Sequence, residues 1–173
     1  MKISMSAMIV AVALAGTGAL AQQHEQAEAF HVREAMQTVI NPAIMAIWDI
    51  GNNAMNEEGG IDPALMDPAK WSALAEAAGA LEATGHDMAG AQTLRAAGED
   101  NQAVEDFEVT MDQVQAALDA DPEGFRRLAA TFATHAGELK AAAEAQDAVA
   151  AGELVAGMDA ACAECHAQFW YAE

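Results

Sequence analysis

The sequence predicts an all-α protein folded as an antiparallel helical bundle, on three observations. Beyond residue 21 the chain is rich in Ala, Leu, Met, Glu and Gln and poor in Val, Ile, Thr and Tyr, a helix-forming composition. Apolar residues recur at three- and four-residue steps over long stretches, and no segment alternates with period two. The breaks between these stretches are short clusters of Pro, Gly, Asp and Asn. The chain has 173 residues, enough for one domain with its own core. No internal repeat is visible.

The N-terminal stretch stands apart. Lys2 precedes a run from Ile3 to Leu20 that is apolar or small and uncharged, and Ala19-Leu20-Ala21 is a small-x-small cleavage site. Residues 1–21 read as a secretory signal peptide, cleaved near Ala21, leaving a domain at 22–173. A retained membrane anchor is the alternative for a run of this length. The abundance of Ala, Gly, Ser and Thr and the cleavage site favour removal.

The formal charge is −20, and without Lys2 only six basic residues remain: Arg33, Lys70, Arg95, Arg126, Arg127 and Lys140. That balance excludes a nucleic-acid binder, which needs a basic footprint, and an anionic membrane surface as partner. It favours solubility and steering toward a basic partner.

The first predicted helix spans Glu25 to Asn56, with Phe30, Met36, Ile40, Ile44, Ile47 and Ile50 on its apolar face. Pro42 should kink it, because proline lacks an amide donor and crowds the preceding turn. Asp67 as N-cap and Pro68 as first helical residue open the second, whose inner face is Trp71, Leu74, Ala75, Ala78 and Leu81. Thr84-Gly85 is expected to end it, with a short helical piece over 86–97. The third runs from Gln102 to Ala120 through Val104, Phe107, Met111, Val114 and Leu118. After Asp121-Pro122 the fourth covers Phe125 to Gln146, with Phe125, Leu128, Phe132 and Leu139 inward. The last spans Ala148 to Trp170, with Leu154, Met158, Cys162, Cys165 and Phe169 on one face. Trp48, Trp71, Phe107, Phe132 and Phe169 are expected in the core.

The only two cysteines stand in Cys162-Ala163-Glu164-Cys165-His166. C-x-x-C-H is the attachment signal of a c-type haem: two thiols add across two vinyl groups, and the adjacent histidine reaches the iron. On a helix all three can address one edge and one face of a planar macrocycle. Other chemistries use the same letters. A thioredoxin-like dithiol opens a helix after a strand, and no strand is predicted. A zinc site needs four ligands, and there is no second cysteine pair. A disulfide suits an exported protein, but a helical C-x-x-C pair is poor geometry for one. Glu28-x-x-His31 suggests a di-metal carboxylate site, but that requires a second Glu-x-x-His, which is absent.

A helical bundle with C-x-x-C-H on its last helix resembles the class II c-type cytochromes, the cytochrome c′ family. Residues 147–171, DAVAAGELVAGMDAACAECHAQFWY, are similar to that family's final helix. The segment VREAMQTVINPAIMAIWDIGN resembles an exported monohaem subgroup through Met36, Pro42, Trp48 and Asp49. The resemblance implies an antiparallel four-helix bundle of the cytochrome c′ type around one covalently bound haem c, here with an extra helical segment near residues 99–122. It also implies export to the periplasm and, in many members, a homodimer.

The resemblance assigns His166 as proximal iron ligand and Cys162 and Cys165 as the covalent attachment. The distal ligand in the family comes from the first helix, where Met gives a six-coordinate electron carrier and an apolar residue leaves the iron five-coordinate. Met36 is the first candidate, although the family's Arg-x-x-x-Met spacing is not kept, Arg33 and Met36 being three apart. Its alternative role is a core methionine. Met45 and His31 are weaker candidates, and Met158, on the helix of His166, cannot reach the opposite face. Arg33 is a candidate partner of a haem propionate, or else forms a surface ion pair with Glu28 or Glu34. Phe169 is a candidate haem contact, with Trp170 and Tyr171 closing the haem edge. His24, His86 and His135 are read as surface residues.

The expected function is that of a periplasmic single-electron carrier, not an enzyme, docking on a redox partner with a basic face. Two rivals stand beside it: a gas-binding cytochrome c′ taking nitric oxide or carbon monoxide at an open iron, and a haem-free helical dithiol or structural protein.

Overall fold

A computed structural model describes residues 29–106 and 108–171. The predicted leader, His24, Glu28 and Phe107 lie outside the described residues. The fold is all-α, with one two-residue parallel strand pair, β1 (Phe30–His31) against β2 (Leu94–Arg95).

The first predicted helix is three consecutive pieces: α1 (Val32–Ala35), a π-helical turn (Met36–Ile40) and α2 (Asn41–Asn53). Among the described residues helix begins at Val32, because Phe30 and His31, expected to be helical, are drawn into the pairing with Leu94 and Arg95; the predicted start at Glu25 lies outside the described residues. Pro42 is accommodated by the π turn before it, in which the Asn41 amide donates to the Met36 carbonyl, five residues back. The buried face of α2 is Ala43, Ile44, Ile47, Ile50 and Gly51.

The helix α3 (Pro68–Gly90) starts as predicted, with the Asp67 carboxylate accepting from the Lys70 amide. It does not stop at Thr84-Gly85. Thr84 turns its hydroxyl back on the Ala80 carbonyl, and Gly85 is the point of close approach to α5 (Pro122–Glu144), facing Ala133. The glycine is there for packing, and the helix runs on to bury Met88.

The third predicted helix is halved. Helix α4 (Met111–Ala120) begins only after a capping box, in which Thr110 and Gln113 satisfy each other's amides. Residues 96–106 and 108–110 are irregular, and the segment is fastened to the start of the first helix: the Gly98 amide donates to Glu34 (2.7 Å), the Arg33 amide to the Ala96 carbonyl (2.9 Å), and Asn101 to Gln37 (2.9 Å). Gln115 of α4 receives the Ala96 amide. The extra segment is therefore a strapped loop and a short helix, with Met111, Val114 and Leu118 buried.

Helices α3 and α5 run antiparallel along their length, since Gly85 meets Ala133 while Glu82 meets Gly137 and Lys140. Helix α6 (Ala148–Phe169) folds back on α5 after a tight turn. There the Gln146 and Asp147 amides close on the Ala143 and Ala142 carbonyls, with Gln146 left-handed at φ 55°. Helix α2 lies on α3 and touches α6 only over a short length, where Gly51 meets Val155, so a gap opens between them further toward Met36. Among the described residues, no helix is long and apolar enough to cross a membrane.

Candidate functional site

That gap is a cavity of about 340 Å³. Met36, Ile40, Asn41, Ile44, Met45 and Trp48 line it from the first helical segment, and Met88 from α3. Phe125, Leu128, Ala129 and Phe132 of α5 close another side. Ala161, Cys162, Cys165 and His166 present one face of α6 to it. The walls are almost wholly carbon, and the size is that of a cavity for a small organic molecule or cofactor.

Helical periodicity puts the three chemically active side chains together. Positions 162, 165 and 166 fall on one stripe of α6, with the buried Met158 and Phe169 anchoring it above and below. Phe169 stands edge-on to Phe125 with ring centroids 5.3 Å apart, so it supports the cavity wall from behind rather than lining it. The end of α6 is held by the His166 carbonyl, which accepts from the amides of Trp170 and Tyr171. The Tyr171 ring stands edge-on to the His166 imidazole at 5.9 Å, and that of Trp170 is tilted at 6.3 Å.

Both cysteines are unpaired and half-buried. Burial, with the neighbouring Cys162 and Glu164 charges, pushes the Cys165 thiol up to about 11. Burial and Asp159 raise Cys162 as well. Burial holds His166 below its ordinary value, so at neutral pH its imidazole carries a free lone pair, the form that coordinates a metal. Among the described residues no three His, Cys, Asp or Glu side chains converge on an ion-sized point, so the two thiols and the imidazole are spread along a slot instead.

The remaining predicted residues fall in different places. Met36 is half-buried and lines the cavity, and Met45 stands at its rim, 62 % exposed. Trp48 and Phe132 line it, while Trp71 is buried in the core elsewhere. Met158 is fully buried and not on the lining. Arg33 is one turn earlier, outside the lining, with its Nη1 buried and without a hydrogen-bond partner among the described residues. His31 is tied into the strand pair, and His135, read as a surface residue, is half-buried with Nε2 at 2.8 Å from the Leu154 carbonyl, joining α5 to α6. No lysine or arginine is among the described residues lining the cavity. Arg126 is occupied by the Ala91 and Gln92 carbonyls and Glu123, and Lys140 by Glu82.

Met88, Asn41 and Ala129 are lining residues that the sequence reading did not find. Met88 was missed because the second helix was ended at Gly85, although it lies seven residues beyond Leu81 on the same face. Asn41, the polar group on the wall facing α6, is marked in the sequence only as the residue before Pro42. No family model matches the chain, and no curated protein or solved structure matches it.

Proposed function

We propose that this protein is an exported, periplasmic monohaem c-type cytochrome that carries single electrons, built as an antiparallel four-helix bundle of the cytochrome c′ type. The observation that carries the proposal is the one face of α6 that presents Cys162, Cys165 and His166 to an apolar cavity, with Met36 among the residues of the facing wall.

The residues suit the group. The two unpaired thiols, three positions apart, would hold a haem c covalently, each by adding S–H across a vinyl group to give a thioether. The His166 imidazole would hold the iron through its lone pair, and the aromatic neighbours Trp170 and Tyr171 pack against it at the end of the helix that carries it. Met36 offers a thioether from the facing wall. The carbon lining excludes water, which with a His/Met pair favours a raised potential. A bound haem c would supply one-electron iron chemistry. The cavity lining offers no cation to the acidic edge of a porphyrin, so its carboxylates belong at the open side, in water. Arg33, outside the lining, is not needed as their partner in this reading.

The chain itself transforms no substrate in this reading. A net charge of −20 gives it a redox partner with a basic docking face, bound weakly and in a salt-dependent way. Self-association to a homodimer is read by sedimentation.

A gas-binding cytochrome c′ is the second reading. What favours it is that Ile40 and Ile44 share the facing wall with Met36, an apolar surface that would leave the iron open. The absorption spectrum of protein exported with haem-attachment machinery separates these readings. A Soret band lost in Cys162→Ser/Cys165→Ser supports covalent haem, and no Soret band in the wild type sinks it. A low-spin ferrous spectrum turned high-spin by Met36→Leu supports electron transfer. A ferrous wild type that is already high-spin selects gas binding.

A further inference from the structure

We infer that Pro42 is a positioning residue: through the π turn that precedes it, it sets which side chain of the first helix faces the cavity, and it selects Met36. The inference rests on the proposed role of Met36 only for its spectroscopic readout.

The argument is one of helical register. Ile40, Ile44 and Trp48 line the cavity at four-residue steps, with Asn41 and Met45 beside them. Successive residues of an α-helix are turned by about 100°, so in an unbroken helix Met36, eight residues before Ile44, would lie roughly 80° round from it. The chain between them is not unbroken. The Asn41 amide bonds to the carbonyl five residues back, at Met36, instead of to Gln37. One π turn absorbs one residue, so everything before it takes the place its successor would hold in an α-helix. Met36 then stands as if seven residues from Ile44, roughly 20° off its line, and it does line the cavity. Gln37, which would occupy that line in an α-helix, is exposed and bonded through its side chain to Asn101.

Pro42 is the local cause of the π turn. It has no amide to give the Thr38 carbonyl, and its ring crowds that carbonyl in α geometry, so the preceding turn widens. The shift also serves the strap. With Met36 turned inward, Glu34 and Gln37 face the loop at 98–101, where Gly98 and Asn101 bond to them.

The test uses haem-loaded wild type and four variants. In Pro42→Ala the restored amide lets the helix close as α, and Met36 leaves the cavity. The ferrous spectrum is expected to turn from low-spin to high-spin, as in Met36→Leu. Adding Met36→Leu and Gln37→Met to Pro42→Ala is expected to restore the low-spin spectrum, while the same two changes with Pro42 kept do not. A structurally disruptive proline change would not be rescued by a methionine moved one position. If Pro42→Ala keeps a low-spin spectrum that still depends on Met36, the inference is overturned. Crystal structures of the wild type and Pro42→Ala read the register whatever the iron does. An Asn41 amide moved from Met36 to Gln37 in the variant supports the inference, and a retained π turn overturns it. If Met36→Leu leaves the spectrum unchanged, the ligand reading fails and the crystallographic comparison alone decides the role of Pro42.

Discussion

Gly85 of α3 is pressed against Ala133 of α5: a Cβ at Gly85 would stand 2.8 Å from the Ala133 Cβ and 2.9 Å from its Cα. Nothing at that contact can yield, since one partner is backbone and the other the smallest side chain. Gly85→Ala must therefore push two long helices apart, and overpacking of this kind costs about 1–3 kcal/mol. The same change at Gly90 meets no atom within 4 Å and should be neutral or mildly stabilising. Urea unfolding of the two variants checks the contrast. Equal midpoints would mean that the helices do not meet at Gly85.

The turn from α5 to α6 holds Gln146 at φ 55°, a left-handed conformation in which a side chain is crowded by its own backbone. Glycine carries no such cost there, though it gives up more freedom on folding. Gln146→Gly is expected to stabilise by about 0.5–1 kcal/mol, read as a higher Tm. A lower Tm would mean that the side chain, not the backbone, makes the turn.

These two positions show how the sequence was and was not readable. Apolar periodicity made α3, α5 and α6 legible, helped by Asp67 as the N-cap of α3, because those signals are local; the caps that Asp121 and Asp147 make on α5 and α6 came with the structure. Gly85 misled because a helix-ending glycine and a packing glycine look alike until the partner helix is present. That error also hid Met88. The third helix was overextended because Val104 and Phe107 are apolar at plausible spacing in the sequence, yet the segment is held by bonds to Glu34 and Gln37, more than sixty residues away. Within the cavity, Cys162, Cys165 and His166 were legible from spacing on one helix. The walls from α3 and α5 were not, since which helices meet is a tertiary fact.

The strap at 96–101 carries a pH dependence of definite sign. Burial raises the Glu34 carboxyl, but the Gly98 amide, the Asn101 side chain and the His31 charge outweigh it and leave it below its ordinary value of 4.5. A carboxylate depressed on folding contributes stability that is present above its unfolded value and is lost as pH falls through the folded one. The strap is thus expected to hold from neutrality down past pH 4.5 and to loosen below it. The Gly98 amide resonance, followed by NMR, should move with a midpoint under 4.5, and Glu34→Gln should abolish that step. A midpoint above 4.5 would mean that burial wins over the hydrogen bonds.

The thiols offer a test of the rival dithiol chemistry. A catalytic or exchanging dithiol keeps at least one thiolate ready near neutral pH, by a lowered thiol pKa. Here the shift is the opposite, with Cys165 pushed up to about 11 by burial and by the Cys162 and Glu164 charges. In haem-free Cys162→Ser protein, alkylation of Cys165 at pH 8 should run on the order of 100-fold slower than for the same chain unfolded in urea. The folded rate should keep rising toward pH 11. Cys162→Ser also removes one of the two neighbouring charges, so the burial contribution is what remains to be read. Equal rates in folded and unfolded protein would show a thiol open to solvent, and would return the dithiol reading to contention. A suppressed rate leaves two protonated thiols facing an apolar slot, poor nucleophiles in water but well placed to add S–H to an apolar unsaturated group held beside them.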